Sequence, residues 1–251
     1  MDRMECTRMS AEVVDEVRTF FEDGWIEEVL FPVKSGKEAT VYCCRACPGR
    51  GETYFALKAY RSRRNRNFQN AAIYQEGRIL GKARTMRAVR NKSRFGRVVE
   101  FGGWLHHEFA MLSILHAAGA AVPRPVAASS SAILLEFIGE GDKPAPQLCN
   151  VRLSPAVAEV LLEQALRTIE IMLTAHVVHA DLSAYNLLYA GERLRVIDMP
   201  QAVDARINPN ARSLLARDVA NVCRYFASQG ADAEPGTFAA ELWDLYRRAE
   251  L

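Results

Sequence analysis

The stretch from Val178 to Gln201, VHADLSAYNLLYAGERLRVIDMPQ, decides the fold. It carries a carboxylate at Asp181, an amide five residues later at Asn186, two short apolar runs and a second carboxylate at Asp198. Leu187 to Tyr189 and Leu194 to Ile197 read as strands, with Ala190-Gly191-Glu192 as the turn between them. Folding that hairpin returns Asp198 to Asn186, while Asp181 stands just ahead of both. Two hard oxygen ligands, one amide and one carboxylate, beside a further carboxylate suit a Mg²⁺ ion that also holds phosphates. The outer Asp181 is left to accept a proton or orient a hydroxyl, the arrangement of phosphoryl transfer. The competing reading is structural, with Asp181 and Asn186 capping a turn and Asp198 ending a strand. What separates the two is whether the chain also supplies a lysine, a phosphate-binding turn and an N-terminal sheet.

It does. Leu30 to Val33, Thr40 to Arg45 and Thr53 to Tyr60 read as strands rich in β-formers, predicting an antiparallel sheet. The turn between the first two, Lys34-Ser35-Gly36-Lys37-Glu38-Ala39, is small and carries a hydroxyl and a glycine, so its backbone N–H groups can approach phosphate oxygens. It has neither the Walker pattern nor G-x-G-x-x-G. Lys58 lies inside the third strand, where a buried ammonium needs a counter-charge. The candidate partner is Glu108, on a helix expected to begin near Trp104.

The flanking segments read as scaffold. Ser10 precedes an amphipathic helix over Ala11 to Asp23 that Gly24 terminates. Val122 to Val126 is an extended connector, and Ala132 to Phe137 a strand that runs into Gly139. Ser154-Pro155 opens a long helix whose expected buried stripe is Val160, Leu161, Ala165, Ile169, Met172 and Leu173. Two further helices are expected over Pro209 to Gln229 and Phe238 to Arg248. The first contains Asp218, placed to hydrogen-bond the backbone of the loop around Asp181.

With 251 residues, 49% of them apolar, the chain can build two lobes around a substantial core. Net charge is only +2, so no global nucleic-acid signature exists. Locally, Arg and Lys recur from Arg61 to Arg97 with Glu76 as the sole opposing charge. That run reads as a flexible basic insertion over about 61–103, solvated or docked on RNA. No segment has signal-peptide or membrane-span character, and the six cysteines form no secreted disulfide framework, which places the chain in the cytoplasm.

The stretches SGKEATVY (35–42), ALKAY (56–60), EFIGEGDKPAPQL (136–148), HADLSAYNLL (179–188), IDMPQAVD (197–204) and ARDVANVCRYF (216–226) together resemble the RIO family of atypical serine/threonine protein kinases, on its RIO1-like branch. The resemblance implies an α+β, bilobal protein-kinase-like fold, with an N-terminal lobe over 1–138 and a mostly helical catalytic lobe over 139–251. It implies ATP with Mg²⁺ or Mn²⁺. Ser35, Gly36, Lys37, Glu38 and Ala39 would form the phosphate loop, with Val41 beside it, Lys58 the nucleotide lysine and Glu108 its partner. Glu136, Phe137 and Ile138 would be the hinge facing adenine. Asp181 would be the catalytic Asp, and Asn186 and Asp198 the metal ligands. IDMPQ stands in place of D-F-G and no A-P-E follows, so the activation and peptide-binding subdomains are expected to be missing. Members of the family act as serine kinases or as ATPases with an aspartyl-phosphate, here at Asp198, and relatives act in ribosome assembly. Two other readings remain at this level: a small-molecule phosphotransferase, and a nucleotide-gated module that binds ribosomal RNA.

Overall fold

A computed structural model describes residues 11–61, 94–233 and 235–251. Its first layer is a five-stranded antiparallel sheet in the order β1-β2-β3-β5-β4. The strands are β1 (Ile26–Ser35), β2 (Ala39–Ala46), β3 (Tyr54–Tyr60), β4 (Pro125–Ala128) and β5 (Ala132–Glu136). Strand period two sorts β3 by face. Phe55, Leu57 and Ala59 are buried with Val17 and Phe20 of helix α1 (Ala11–Glu22), in a small core on one side of the sheet. Ala56, Lys58 and Tyr60 therefore point to the other side. Helix α1 stops at Gly24, which takes φ +64° as helix-terminating glycines do.

Helix α2 (Arg94–Ala117) crosses that second face. It was expected to begin near Trp104, but it starts at Arg94 and runs through Gly96, Gly102 and Gly103. Residues 94–103 of the basic segment are thus helical. Glycine lowers helix propensity by about 1 kcal/mol without forbidding the helix, and flanking turns of α2 outweigh it. Residues 62–93, the remainder of that segment, lie outside the described residues, as does Ser10. Leu105, Glu108, Leu112 and Leu115 recur at helical spacing and are all buried.

The second lobe is mostly helical: α3 (Pro155–Thr174), α4 (Ala211–Ser228) and α5 (Pro235–Arg248). Ser154 caps α3 by accepting from the Val157 N–H, and Pro155 occupies the first turn, where its missing N–H costs nothing. Leu161, Ala165, Ile169, Met172 and Leu173 are buried as expected, but Val160 is 55% exposed. A helix turns by 100° per residue, so Val160 sits one step off the 158–161–165–169 stripe and faces solvent.

Between α3 and α4 lie β8 (Val177–Val178), the hairpin β9 (Leu187–Ala190) and β10 (Arg193–Val196), and β11 (Val203–Asp204). Gly191 and Glu192 both take positive φ, the backbone of a tight hairpin turn. The register Leu187↔Val196 brings the Ile197 N–H to the Asn186 carbonyl at 2.9 Å. Only Met199 to Asn210 separates Asp198 from α4, so no activation segment intervenes there, and α5 is the last helix of the chain. One continuous core joins α2 to α3 and α4, including Leu115, Leu161, Leu173, Val219 and Phe226. No helix among the described residues is long and apolar enough to cross a membrane.

Candidate active site

The two layers enclose a cavity of about 600 Å³ between the sheet and the β9–β10 hairpin. Its roof comes from the β1–β2 turn and β3, its floor from the hairpin, and its back wall from Glu136, Phe137 and Ile138. Of the residues expected at an ATP site, Gly36, Lys37, Glu38, Ala39, Val41, Lys58, Glu108, Glu136, Phe137 and Ile138 line it, and so do Asp181, Asn186 and Asp198. Ser35 does not. Its Oγ lies 3.3 Å from the Thr40 hydroxyl and accepts from the Arg61 guanidinium, which ties the turn to the end of β3.

Lys58 is the electrostatic centre. Its Nζ donates to Glu108 Oε1 at 2.7 Å and to Asp198 Oδ1 at 2.6 Å. Glu108 is 1% exposed and also accepts from the Tyr60 hydroxyl and, at 3.2 Å, from the Met199 N–H. This one carboxylate therefore joins β3, α2 and the residue after Asp198. Burial pulls the Lys58 pKa down, but Glu108, Tyr60 and Asp198 overcome it and hold the ammonium well above its ordinary value.

The two carboxylates are pushed in opposite directions. The Lys58 charge holds Asp198 below the usual carboxylate range, whereas partial enclosure raises Asp181. Asp198 also takes φ +71°, an uncommon conformation for a residue with a Cβ, held here by neighbours on both sides. The loop around Asp181 is fixed from below. His179 donates from Nε2 to the Ile197 carbonyl at 3.0 Å and accepts the Asp181 N–H on Nδ1 at 3.3 Å. Asn186 Nδ2 donates to the Asp181 carbonyl at 2.9 Å. Asp218, 2% exposed, accepts the Ala180 and Leu182 N–H groups at 2.7 and 2.9 Å, the contact foreseen for it. Burial pushes its pKa up to about 6.

At the back wall the Glu136 side chain is turned away, accepting the Arg124 N–H at 3.0 Å, so what Glu136 offers the cavity is backbone. The Ile138 carbonyl accepts from the Ala145 N–H at 2.9 Å, closing a miniature hairpin of β6 (Gly139–Glu140) and β7 (Lys143–Pro144). A Cβ at Gly139 would overlap the Lys143 carbonyl and the Phe137 ring, so only glycine fits there.

Sequence reasoning missed several residues. Tyr60 lies two positions after Lys58, hence on the same strand face, and that spacing was the available signal. Arg217 and Asn221 flank Asp218 on one turn of α4 and both bond the same loop. Gln201 lines the cavity with its Oε1 buried and without a hydrogen-bond partner. It closes the IDMPQ stretch that stands in place of D-F-G, three residues after Asp198, and that position was the available signal.

A hard-oxygen pair, Asn186 with Asp198, opposite three lysines (Lys34, Lys37, Lys58) in one cavity fits a polyphosphate with a divalent cation. Fold and site together define a phosphotransferase of protein-kinase type. A family model described as the RIO domain matches residues 40–237. The RIO-type serine/threonine-protein kinase Rio1 of Haloferax volcanii is 35% identical over 214 residues, covering 85% of this chain and 68% of that protein. The human serine/threonine-protein kinase RIO1 is 32% identical over 81% of this chain, which spans only 34% of the human protein. The Rio2 kinase of Chaetomium thermophilum, solved as an ADP/Mg²⁺-phosphoaspartate complex, superposes with a TM-score of 0.66 over 94% of this chain and 67% of its own, at 21% identity. The chain belongs to the RIO family of serine/threonine protein kinases, on the Rio1-like side.

Proposed function

We propose that this chain binds ATP with Mg²⁺ in the 600 Å³ cavity and transfers the γ-phosphoryl group to a serine or threonine hydroxyl or to its own Asp198. The observation that carries the reading is Asp198, held 2.6 Å from Lys58 in the cavity that also contains Asn186 and Asp181. Mg²⁺, with Mn²⁺ as the substitute, would be held by Asn186 and Asp198 and would neutralise charge on the phosphates. Lys58 then binds phosphate oxygens, fixed by Glu108, and the backbone of Glu136 to Ile138 faces the adenine.

On the kinase route, Asp181 accepts the proton of the attacking hydroxyl. The new bond forms from that oxygen to the γ-phosphorus, and the bond to the β–γ bridging oxygen breaks, releasing ADP. On the ATPase route the Asp198 carboxylate is the nucleophile, and the acyl phosphate formed is then hydrolysed by water. The relative solved with phosphoaspartate supports this route as a chemistry of the fold. We place the protein in the cytoplasm, and the cations of Arg61 to Arg97 support contact with ribosomal RNA or an assembly particle.

Incubation with γ-labelled ATP and Mg²⁺, alongside Asp181→Ala and Asp198→Ala, tests the reading. Hydroxylamine-resistant label lost in Asp181→Ala identifies a hydroxyl kinase. Hydroxylamine-labile label lost in Asp198→Ala identifies the aspartyl-phosphate route. No label and no phosphate release would overturn both.

A further inference from the structure

Helix α4 grips the backbone on both sides of Asp181. The N–H groups of Ala180 and Leu182 go to Asp218, the Ala180 carbonyl accepts from the Arg217 guanidinium, and the Leu182 carbonyl accepts from Asn221 Nδ2 at 3.2 Å. The Asp181 N–H goes to His179 Nδ1, and its carbonyl accepts from Asn186. Every backbone polar group from Ala180 to Leu182 is therefore held by a side chain. Such saturation has a purpose at Ala180, whose φ is +67°. A residue with a Cβ keeps that conformation only where its surroundings over-determine it.

Asp218 fixes the peptide before Ala180. The peptide after it, which leads into Asp181, is held by Arg217 on its carbonyl and by His179 on its N–H. Rotation of that plane would swing the Asp181 Cα–Cβ bond, and with it the carboxylate. Arg217 itself is not part of the cavity wall. We propose that Arg217 is a positioning residue for phosphoryl transfer: by holding the Ala180 carbonyl it keeps Ala180 in the left-handed conformation and aims the Asp181 carboxylate. This rests on the reading of Asp181 as the group that handles the attacking hydroxyl.

The test compares Arg217→Gln, Arg217→Lys and Arg217→Gln combined with Ala180→Gly in the full chain. Single-turnover transfer from γ-labelled ATP and ADP affinity by calorimetry are measured for each, and the ¹³Cα chemical shift of Ala180 for the wild type and the two single variants. Misaiming a catalytic group by a fraction of its reach costs on the order of 10- to 100-fold, so Arg217→Gln should slow transfer by about that much. ADP affinity should stay within about twofold, because the arginine does not touch the nucleotide site. Lysine, which keeps the charge and an N–H for the carbonyl but lacks the planar fork, should recover part of the rate. Glycine at 180 adopts positive φ freely, so it too should recover part of the Arg217→Gln loss.

A wild-type rate in Arg217→Gln, an equal fall in ADP affinity, or a deeper defect on adding Ala180→Gly would overturn the proposal. If the unmodified protein transfers no phosphate, the functional reading fails, and the Ala180 shift decides the clamp by itself. A shift that moves in Arg217→Gln supports it, and one that stays put sinks it.

Discussion

Lys58 and Glu108 meet at 2.7 Å across fifty residues of sequence, with Glu108 1% exposed. A buried pair of this kind is costly to break from one side, because the survivor keeps its desolvation penalty without its partner. Glu108→Ala strands the Lys58 ammonium, the Tyr60 hydroxyl and the Met199 N–H together. We expect a loss of about 3–5 kcal/mol in urea unfolding. The Lys58 pKa is raised in the fold, so the pair's contribution is fully present below the ordinary lysine value of 10.5 and is lost only as pH rises through the higher folded value. Stability measured from pH 7 to 9 should therefore show no decline from this pair.

Tyr60→Phe removes one donor from the buried Glu108 while leaving Lys58 and Met199 in place. A hydrogen bond to a charged group contributes roughly 1.5–3 kcal/mol. For a chain of this size that corresponds to a fall in Tm of roughly 3–12 °C, readable by calorimetry. An unchanged Tm would mean that the hydroxyl contributes nothing to holding Glu108.

Asp181 and Asp198 should separate on acidification. Burial raises Asp181, and Lys58 lowers Asp198. As pH falls, Asp181 therefore takes up its proton while Asp198 remains ionised. Transfer rate should drop first, following one ionisation, with Mg²⁺-dependent ADP binding persisting to lower pH. Loss of both together would contradict the opposed environments.

Asp218 sets a second pH dependence, on stability. Its pKa rises from 3.8 to about 6 on folding, so between those values the folded chain holds more protons than the unfolded one. Stability must then decrease as pH rises through that window and level off above it, an effect of roughly 3 kcal/mol. Asp218→Asn, which cannot titrate, should lose this share of the wild-type slope between pH 4 and 6 in denaturant titrations, and a slope equal to wild type would refute the assignment.

Two substitutions test packing where the sequence reads ambiguously. Gly139→Ala drives a methyl into the Lys143 carbonyl and the Phe137 ring, and overpacking of this kind costs about 1–3 kcal/mol. Nucleotide affinity should fall with it, since Phe137 and Ile138 line the cavity. Val160→Lys, on the exposed flank of α3, should change stability by no more than about 0.5 kcal/mol.

Much of the fold was legible because its signals are local. The run of β-formers marked β3 as the strand that carries Lys58, Ser154-Pro155 marked the start of α3, and Gly191-Glu192 closed the hairpin that returns Asp198 to Asn186. Local rules misled where neighbours outweighed them. The helix carrying Glu108 was expected to begin near Trp104, yet α2 starts at Arg94 and runs through three glycines, and Val160 was counted with a stripe that begins one residue away. Ser35 looked like a phosphate hydroxyl, but Thr40 and Arg61 take it.

The sequence by itself determined the family, the α+β kinase-like architecture and the set of oxygen and nitrogen groups that could meet a nucleotide, because residue type and spacing encode local geometry. Tertiary structure alone decided how those groups are held. Glu108 joins Lys58, Tyr60 and Met199 from three separate elements, and Arg217, Asp218 and Asn221 clamp a loop some 35 to 40 residues earlier in the chain. No local pattern can specify such contacts, since each depends on where two distant segments come to rest against a shared core.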